Sequence, residues 1–327
     1  MLALRFDGRR ARVSDVPEPD AAPGFAIVDV RLAGVCDTDL QIAKGYMGFR
    51  GVLGHELVGV VAEGPDAWRG RRVACEINFA CGAPGCDACA RGLGRHCPTR
   101  RVMGILDADG AFARRVAVPV ANLHAVPDAV DDARAVFTEP LAAAFEILEQ
   151  VEVAPGARAV VLGDGKLGVL VAQVLANAGA RVLAVGHHRA KLDALARRGI
   201  ETALASDFAA GVDAAPASRA DLVVDATGSP SALELAVRAT RPRGTLVLKT
   251  TTAERPSLDF ARVVVDEIRI VGSRCGPFAP ALEALASGAV DVASLLDDRF
   301  PLEHADAALE RAAERGARKV LIECGGA

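Results

Sequence analysis

The stretch Val160-Val161-Leu162-Gly163-Asp164-Gly165-Lys166-Leu167-Gly168 runs an apolar segment into a G-x-G-x-x-G pattern, and over residues 167–178 apolar side chains then recur at helical spacing. A strand that turns on glycines into a helix is the setting in which this pattern carries weight. In that setting Gly163 permits a tight turn, Gly165 lets a pyrophosphate approach the backbone, and Gly168 lets helix and strand pack closely. The loop and the helix start at Lys166 and Leu167 offer backbone N–H groups to the anion. The segment reads as a dinucleotide-binding turn.

The same texture continues outward. Strands are predicted at 158–162, 181–185, 222–226, 245–248 and 268–271, and helices at 167–178, 189–198 and 231–240. Strands alternating with helices make a parallel sheet, so the expected class is α/β, with a doubly wound Rossmann unit over 140–275. Thr227, just past the third of these strands, is counted with the cofactor contacts. An acidic residue about 20 positions beyond the fingerprint usually accepts hydrogen bonds from the adenosine ribose. Here Val185 is followed by Gly186-His187-His188-Arg189, with no carboxylate. That tip favours NADP(H) over NAD(H), with Arg189 or His188 reading the 2′-phosphate.

Upstream, short apolar runs at 26–32, 57–62 and 113–118 are punctuated by Gly and Pro, the pattern of a β-rich, barrel-like domain. After residue 280 helical spacing returns at 281–287 and 302–313, and a strand is predicted at 319–323. The tail is expected to close the first domain, giving 1–139 with 276–327, and making 140–275 an insertion.

With 327 residues, 51% hydrophobic and 24% charged, the chain has the composition of a folded protein of about two domains. A formal charge of −4, from 38 basic and 42 acidic side chains, offers no positive field for nucleic acid. The most apolar stretch, 169–185, is interrupted by Gln173, Asn177 and Arg181, so no bilayer span of ~20 residues is expected. The start Met1-Leu2-Ala3-Leu4-Arg5 lacks a signal-peptide pattern, and the expected location is the cytoplasm. The eight cysteines therefore need an explanation other than a disulfide framework. Cys81, Cys86, Cys89 and Cys97 fall within seventeen residues of a Gly-rich loop, a set suited to a tetrahedral structural Zn²⁺. Cys75, Cys275 and Cys324 lie in apolar surroundings and read as ordinary buried residues.

A second set is scattered: Gly34-Val35-Cys36-Asp37-Thr38-Asp39, Gly54-His55-Glu56 followed by Gly59 and Val61, and Thr138-Glu139-Pro140. Together with the four-cysteine loop and the fingerprint, these segments resemble the zinc-containing medium-chain dehydrogenase/reductase superfamily, the alcohol dehydrogenase-like proteins, and within it the sorbitol and threonine dehydrogenase branch. The resemblance covers essentially the whole chain. It implies a GroES-like β-rich catalytic domain, carrying the zinc lobe at 81–97, joined to the Rossmann domain. It implies a catalytic zinc held by Cys36, His55 and an acidic third ligand, either Glu139 or Glu56, with a fourth position left open. Asp39 matches the carboxylate that orients the histidine ligand, Thr38 the hydroxyl that receives the substrate proton, and Lys319 the basic residue that contacts the cofactor pyrophosphate. Two departures stand out. Four residues, rather than the usual two, separate Cys81 from Cys86, and Gln41 occupies the place of an outer histidine relay.

The implied activity is hydride transfer between a primary or secondary alcohol or polyol, or the matching carbonyl, and NAD(P), with two zinc ions per chain. The rival readings are a zinc-free-type quinone or enone reductase and a non-catalytic zinc-stabilised NAD(P)-binding sensor. Tyr46, Phe49, Arg50 and Met103 are pocket candidates from their nearness in sequence to the ligand segments. The expected partners are a small-molecule substrate and further copies of the chain, as a homodimer or homotetramer, without nucleic acid or membrane.

Overall fold

The computed structural model describes residues 1–214, 219–250 and 257–325. The chain divides into two compact units: Met1–Glu139 with Phe278–Ala286 and the segment that begins at Leu295, and Pro140–Pro277 with Ser287–Ser294.

In the second unit six parallel strands lie in the order Glu201–Leu204, Arg181–Gly186, Arg158–Leu162, Ala220–Asp225, Thr240–Leu248 and Arg269–Gly272. Counted along this unit the order is 3-2-1-4-5-6, the doubly wound arrangement whose switch point lies beside the first strand. Val160, Leu162, Val185, Val223 and Leu246 bury their side chains in one cluster, as strands covered on both faces require. Each such side chain contributes ~1.5–3 kcal/mol by leaving water. The strand Glu201–Leu204 and the helix Ala205–Ala214 were not anticipated. The strand Glu-Thr-Ala-Leu is short and at the sheet edge, so it carries no continuous apolar run. Thr240, expected to end a helix, instead opens the strand Thr240–Leu248, and its hydroxyl donates to Ala236 O at 2.8 Å at the end of the helix Ala232–Ala239.

The first unit is organised around the strand Phe25–Gly34. It pairs antiparallel with Glu56–Glu63, Arg115–Pro119 and Lys319–Glu323, and the last of these pairs parallel with Leu296–Pro301. The register sets Gly34 opposite Glu56 on one side and Leu321 on the other. One strand end thus gathers residues distant in sequence, including the C-terminal strand.

Two boundaries differ from expectation, the smaller being that the Rossmann unit runs to Pro277. Residues 287–294 belong to the Rossmann unit, not to the tail of the catalytic one. Gln173 and Asp291 exchange hydrogen bonds, Gln173 Nε2 to Asp291 O at 3.0 Å and Asp291 N to Gln173 Oε1 at 2.8 Å. Asn177 Nδ2 and the Arg198 guanidinium both donate to Ala289 O, at 2.9 and 2.7 Å. These polar bonds are invisible to hydrophobic patterning.

Candidate active site and cofactor turn

Past Gly34 the chain leaves the sheet, and Cys36 precedes the helix Asp37–Ala43. Asp39, fully buried, accepts from Cys36 N at 2.9 Å, and its other oxygen lies 3.2 Å from His55 Nδ1. One carboxylate thereby caps a helix start and faces an imidazole. Before His55, Gly54 has φ +95°, and a Cβ there would meet the Phe112 ring at 2.4 Å. Glycine is required on both counts. Gly34 is needed for space alone, since a Cβ would fall 2.5 Å from Glu56 Oε2 and 2.7 Å from Val136.

These constraints bring Cys36, His55 and Glu56 together, with one ligand atom from each lying within 4.8 Å of the others. The Thr38 hydroxyl is 3.8 Å from Cys36 Sγ. Glu139, in the first turn of the helix Thr138–Gln150, falls outside this group. Of the Glu56 oxygens, Oε2 pairs with the Lys319 ammonium and Oε1 is buried without a protein hydrogen-bond partner. Lys319 was expected on the cofactor pyrophosphate. Instead it is fully buried in the first unit, where it pairs with Glu56, donates to Val35 O at 3.4 Å and lies 5.5 Å from the centre of the Phe137 ring. There it supplies the counter-charge that a buried carboxylate needs.

Burial pushes the His55 pKa down, but Asp39 and Cys36 outweigh it and hold the imidazole well above its ordinary value. A thiolate, an imidazole and a carboxylate with an orphan oxygen form a donor set that fits zinc with an open coordination position. Of the pocket candidates, Met103 and Phe49 are core residues at 0% and 7% exposure, Tyr46 is half-buried and Arg50 is exposed.

In the cysteine lobe, Cys81 Sγ lies 3.8 Å from Cys89 Sγ and Cys86 Sγ 3.9 Å from Cys97 Sγ. All four fall in one group of potential ligands. The longer Cys81–Cys86 interval is taken up by a loop in which Gly82 has φ +62°. The Thr99 hydroxyl, 3.5 Å from Cys97 Sγ, is the main influence lowering that thiol to about 6, while burial pushes Cys89 up to about 12. Four crowded thiols do not ionise alike unless a metal compensates them, so this set also fits zinc.

In the Rossmann unit the fingerprint strand ends at Leu162, and the helix Lys166–Asn177 starts with Gly165 at its N-cap and no side chain capping it. Gly163 has φ +114°, and a Cβ on Gly168 would meet Gly163 O at 2.0 Å. A Cβ on Gly165 would meet nothing within 4 Å, which leaves open the space a phosphate needs. Thr227 Oγ1 donates to Asp225 Oδ1 at 2.8 Å at the end of the fourth strand. At the end of the second strand His187 and Arg189 are exposed and His188 is half-buried. Two residues went unnoticed at the sequence level. Lys249, at the end of the fifth strand, is buried and donates to Ala143 O and Arg274 O, each at 2.7 Å, and to Ser273 Oγ at 3.1 Å. Asp164, inside the fingerprint, binds the His187-His188 tip. Neither has a signature in spacing; for Asp164 the only hint is the acid missing at 186.

Residues 22–128 match the alcohol dehydrogenase GroES-like domain, and residues 167–287 match the zinc-binding dehydrogenase family. The chain belongs to the zinc-binding, alcohol dehydrogenase-like branch of the medium-chain dehydrogenases and reductases, and is an oxidoreductase of that class. It is 30% identical to 2-dehydro-3-deoxy-L-galactonate 5-dehydrogenase of Pseudoalteromonas atlantica, over 99% of both chains. A short chain alcohol dehydrogenase (rspB) of Escherichia coli CFT073, solved with NADH, superposes with a TM-score of 0.89 at 26% identity, covering 99% of each chain. A zinc-binding dehydrogenase of Sinorhizobium meliloti 1021, bound to NADP, gives a TM-score of 0.88 at 27% identity over 98% of each. Among the described residues no helix is long and apolar enough to cross a membrane.

Proposed function

We propose that the protein oxidises a primary or secondary alcohol or a polyol, or reduces the matching carbonyl, with NADP(H) favoured over NAD(H) and two zinc ions per chain. The convergence of Cys36, His55 and Glu56, one ligand atom of each lying within 4.8 Å of the others, carries the reading. Cys36, His55 and Glu56 would hold the catalytic zinc, and Cys81, Cys86, Cys89 and Cys97 the structural one. When bound, the catalytic zinc supplies Lewis acidity toward a substrate oxygen, and the nicotinamide gives or takes the hydride. Asp39 keeps the imidazole of His55 in place, and Lys319 holds Glu56 in position through their ion pair. Thr38 Oγ1, beside Cys36 Sγ, receives the alcohol proton and returns it in carbonyl reduction. Gln41 cannot titrate, so the proton leaves Thr38 through water or a ribose hydroxyl. In the Rossmann unit, Gly163, Gly165 and Gly168 shape the pyrophosphate cradle and the His188-Arg189 tip receives the adenosine end.

The preference for NADP(H) is supported by the absence of a carboxylate in Gly186-His187-His188-Arg189. The test is a zinc determination together with a screen of alcohols, polyols and amino alcohols with NADP⁺ and NAD⁺, followed at the reduced nicotinamide absorbance. Two zincs per chain and turnover, faster with NADP⁺, are expected. A full zinc complement without turnover of any substrate in the panel would overturn the reading in favour of a binding protein.

A further inference from the structure

The acid missing from the end of the second strand has a structural counterpart one loop away. Asp164, the first variable residue of the fingerprint, is 8% exposed, and its Oδ2 accepts from His187 N at 2.7 Å and from His188 N at 2.6 Å. His188 Nδ1 lies 3.0 Å from the same oxygen. A Cβ on Gly186 would meet Asp164 Cβ at 2.4 Å and Oδ2 at 2.5 Å. The Asp164 side chain and a carboxylate on residue 186 would therefore compete for one volume, and this chain has filled it from the fingerprint side. Asp164 does not simply replace the ribose-binding acid, because three N–H donors from the tip already occupy it. With Nδ1 turned onto the carboxylate, the opposite ring nitrogen is the one left unpaired. His188 Nε2 is buried and has no hydrogen-bond partner in the protein. A neutral ring whose Nδ1–H is donated presents a lone pair at Nε2, and a protonated ring presents a donor there.

We infer that Asp164 is a positioning residue that sets the discrimination between NADP(H) and NAD(H) by fixing His188 and the backbone of the Gly186–His188 tip. The inference rests on the reading that this tip receives the adenosine end of the cofactor. A carboxylate behind an imidazole is a means of holding the ring in one orientation. Releasing the tip costs the 2′-phosphate contact more than the ribose and pyrophosphate contacts the two cofactors share.

The experiment is titration of the zinc-loaded protein with NADPH and with NADH, each followed by nicotinamide fluorescence, for the wild type, Asp164→Ala, Asp164→Asn, His188→Gln and Asp164→Ala/His188→Gln. The ratio of the two affinities in the wild type tests the cofactor reading; its change on substitution tests the inference. Asp164→Ala is expected to shift that ratio against NADPH by about tenfold, of the order of one lost charged contact. In the His188→Gln background the same substitution should shift it by less than about twofold, because the two residues act as one unit. Asp164→Asn, whose amide oxygen still accepts from the two backbone N–H groups, keeps the fold and should recover part of the ratio. Equal weakening of both cofactors, or no change in either, would overturn the inference. So would a ratio that moves toward NADPH, since Asp164 would then be acting by repulsion as a ribose acid.

Discussion

The two candidate metal centres gather their ligands in different ways. Residues 81–97 deliver four thiols from one loop, with Cys81 exposed and only Cys97 buried, and the spacing alone places them near one another. Cys36, His55 and Glu56 come from a helix start and a strand, meet only because Gly34 is registered against Glu56, and stand beside a buried Asp39 and a buried Lys319. A local centre tolerates variation in its loop, as the longer Cys81–Cys86 interval shows. A centre assembled by sheet register tolerates little, because His55 and Glu56 are also buried in the core.

That contrast can be broken or sharpened by substitution. Cys36→Ser should remove one zinc of two and lower turnover by about a thousandfold, the several kcal/mol that a Lewis acid supplies; NADPH binding by fluorescence should be retained. In the metal-free protein, Lys319→Met leaves the Glu56 carboxylate buried without its partner, and urea unfolding should show a loss of ~3–5 kcal/mol. Adding Glu56→Gln to that variant should restore most of the stability, and no restoration would mean that the pair is not what Lys319 is there for. Asp39→Asn should weaken metal retention by about 10–100-fold in competition with a chelator, with the fold intact by circular dichroism. Smallest in its effect on chemistry, Cys97→Ser should cost the lobe its zinc and lower the melting temperature, while turnover per folded chain at 25 °C stays within about twofold. A collapse of turnover on lobe substitution would show that the two centres are not independent.

What could be read beforehand follows the same division. The fingerprint, the alternation after it and the four cysteines are periodic or closely spaced, so the parallel sheet and the lobe were legible as patterns. The nearness of Glu56 to Cys36 and His55 was not, because it depends on which strand end faces Gly34, a matter of pairing partners 22 positions apart. The pairing of Lys319 with Glu56 was hidden for a related reason. In sequence Lys319 precedes an ordinary apolar strand, and only the pairing of that strand with Phe25–Gly34 brings it to Glu56. Asp164 was hidden in a variable position of a motif whose glycines draw attention away from it.

The eight residues Ser287–Ser294 have a consequence for how this enzyme can be re-engineered. The chain passes between its units four times, after residues 139, 277, 286 and 294. A graft that swaps the cofactor half by exchanging one continuous block would cut Gln173 from Asp291 and both Asn177 and Arg198 from Ala289. A modular exchange with a relative must therefore carry 140–277 and 287–294 together, as two pieces of a single part.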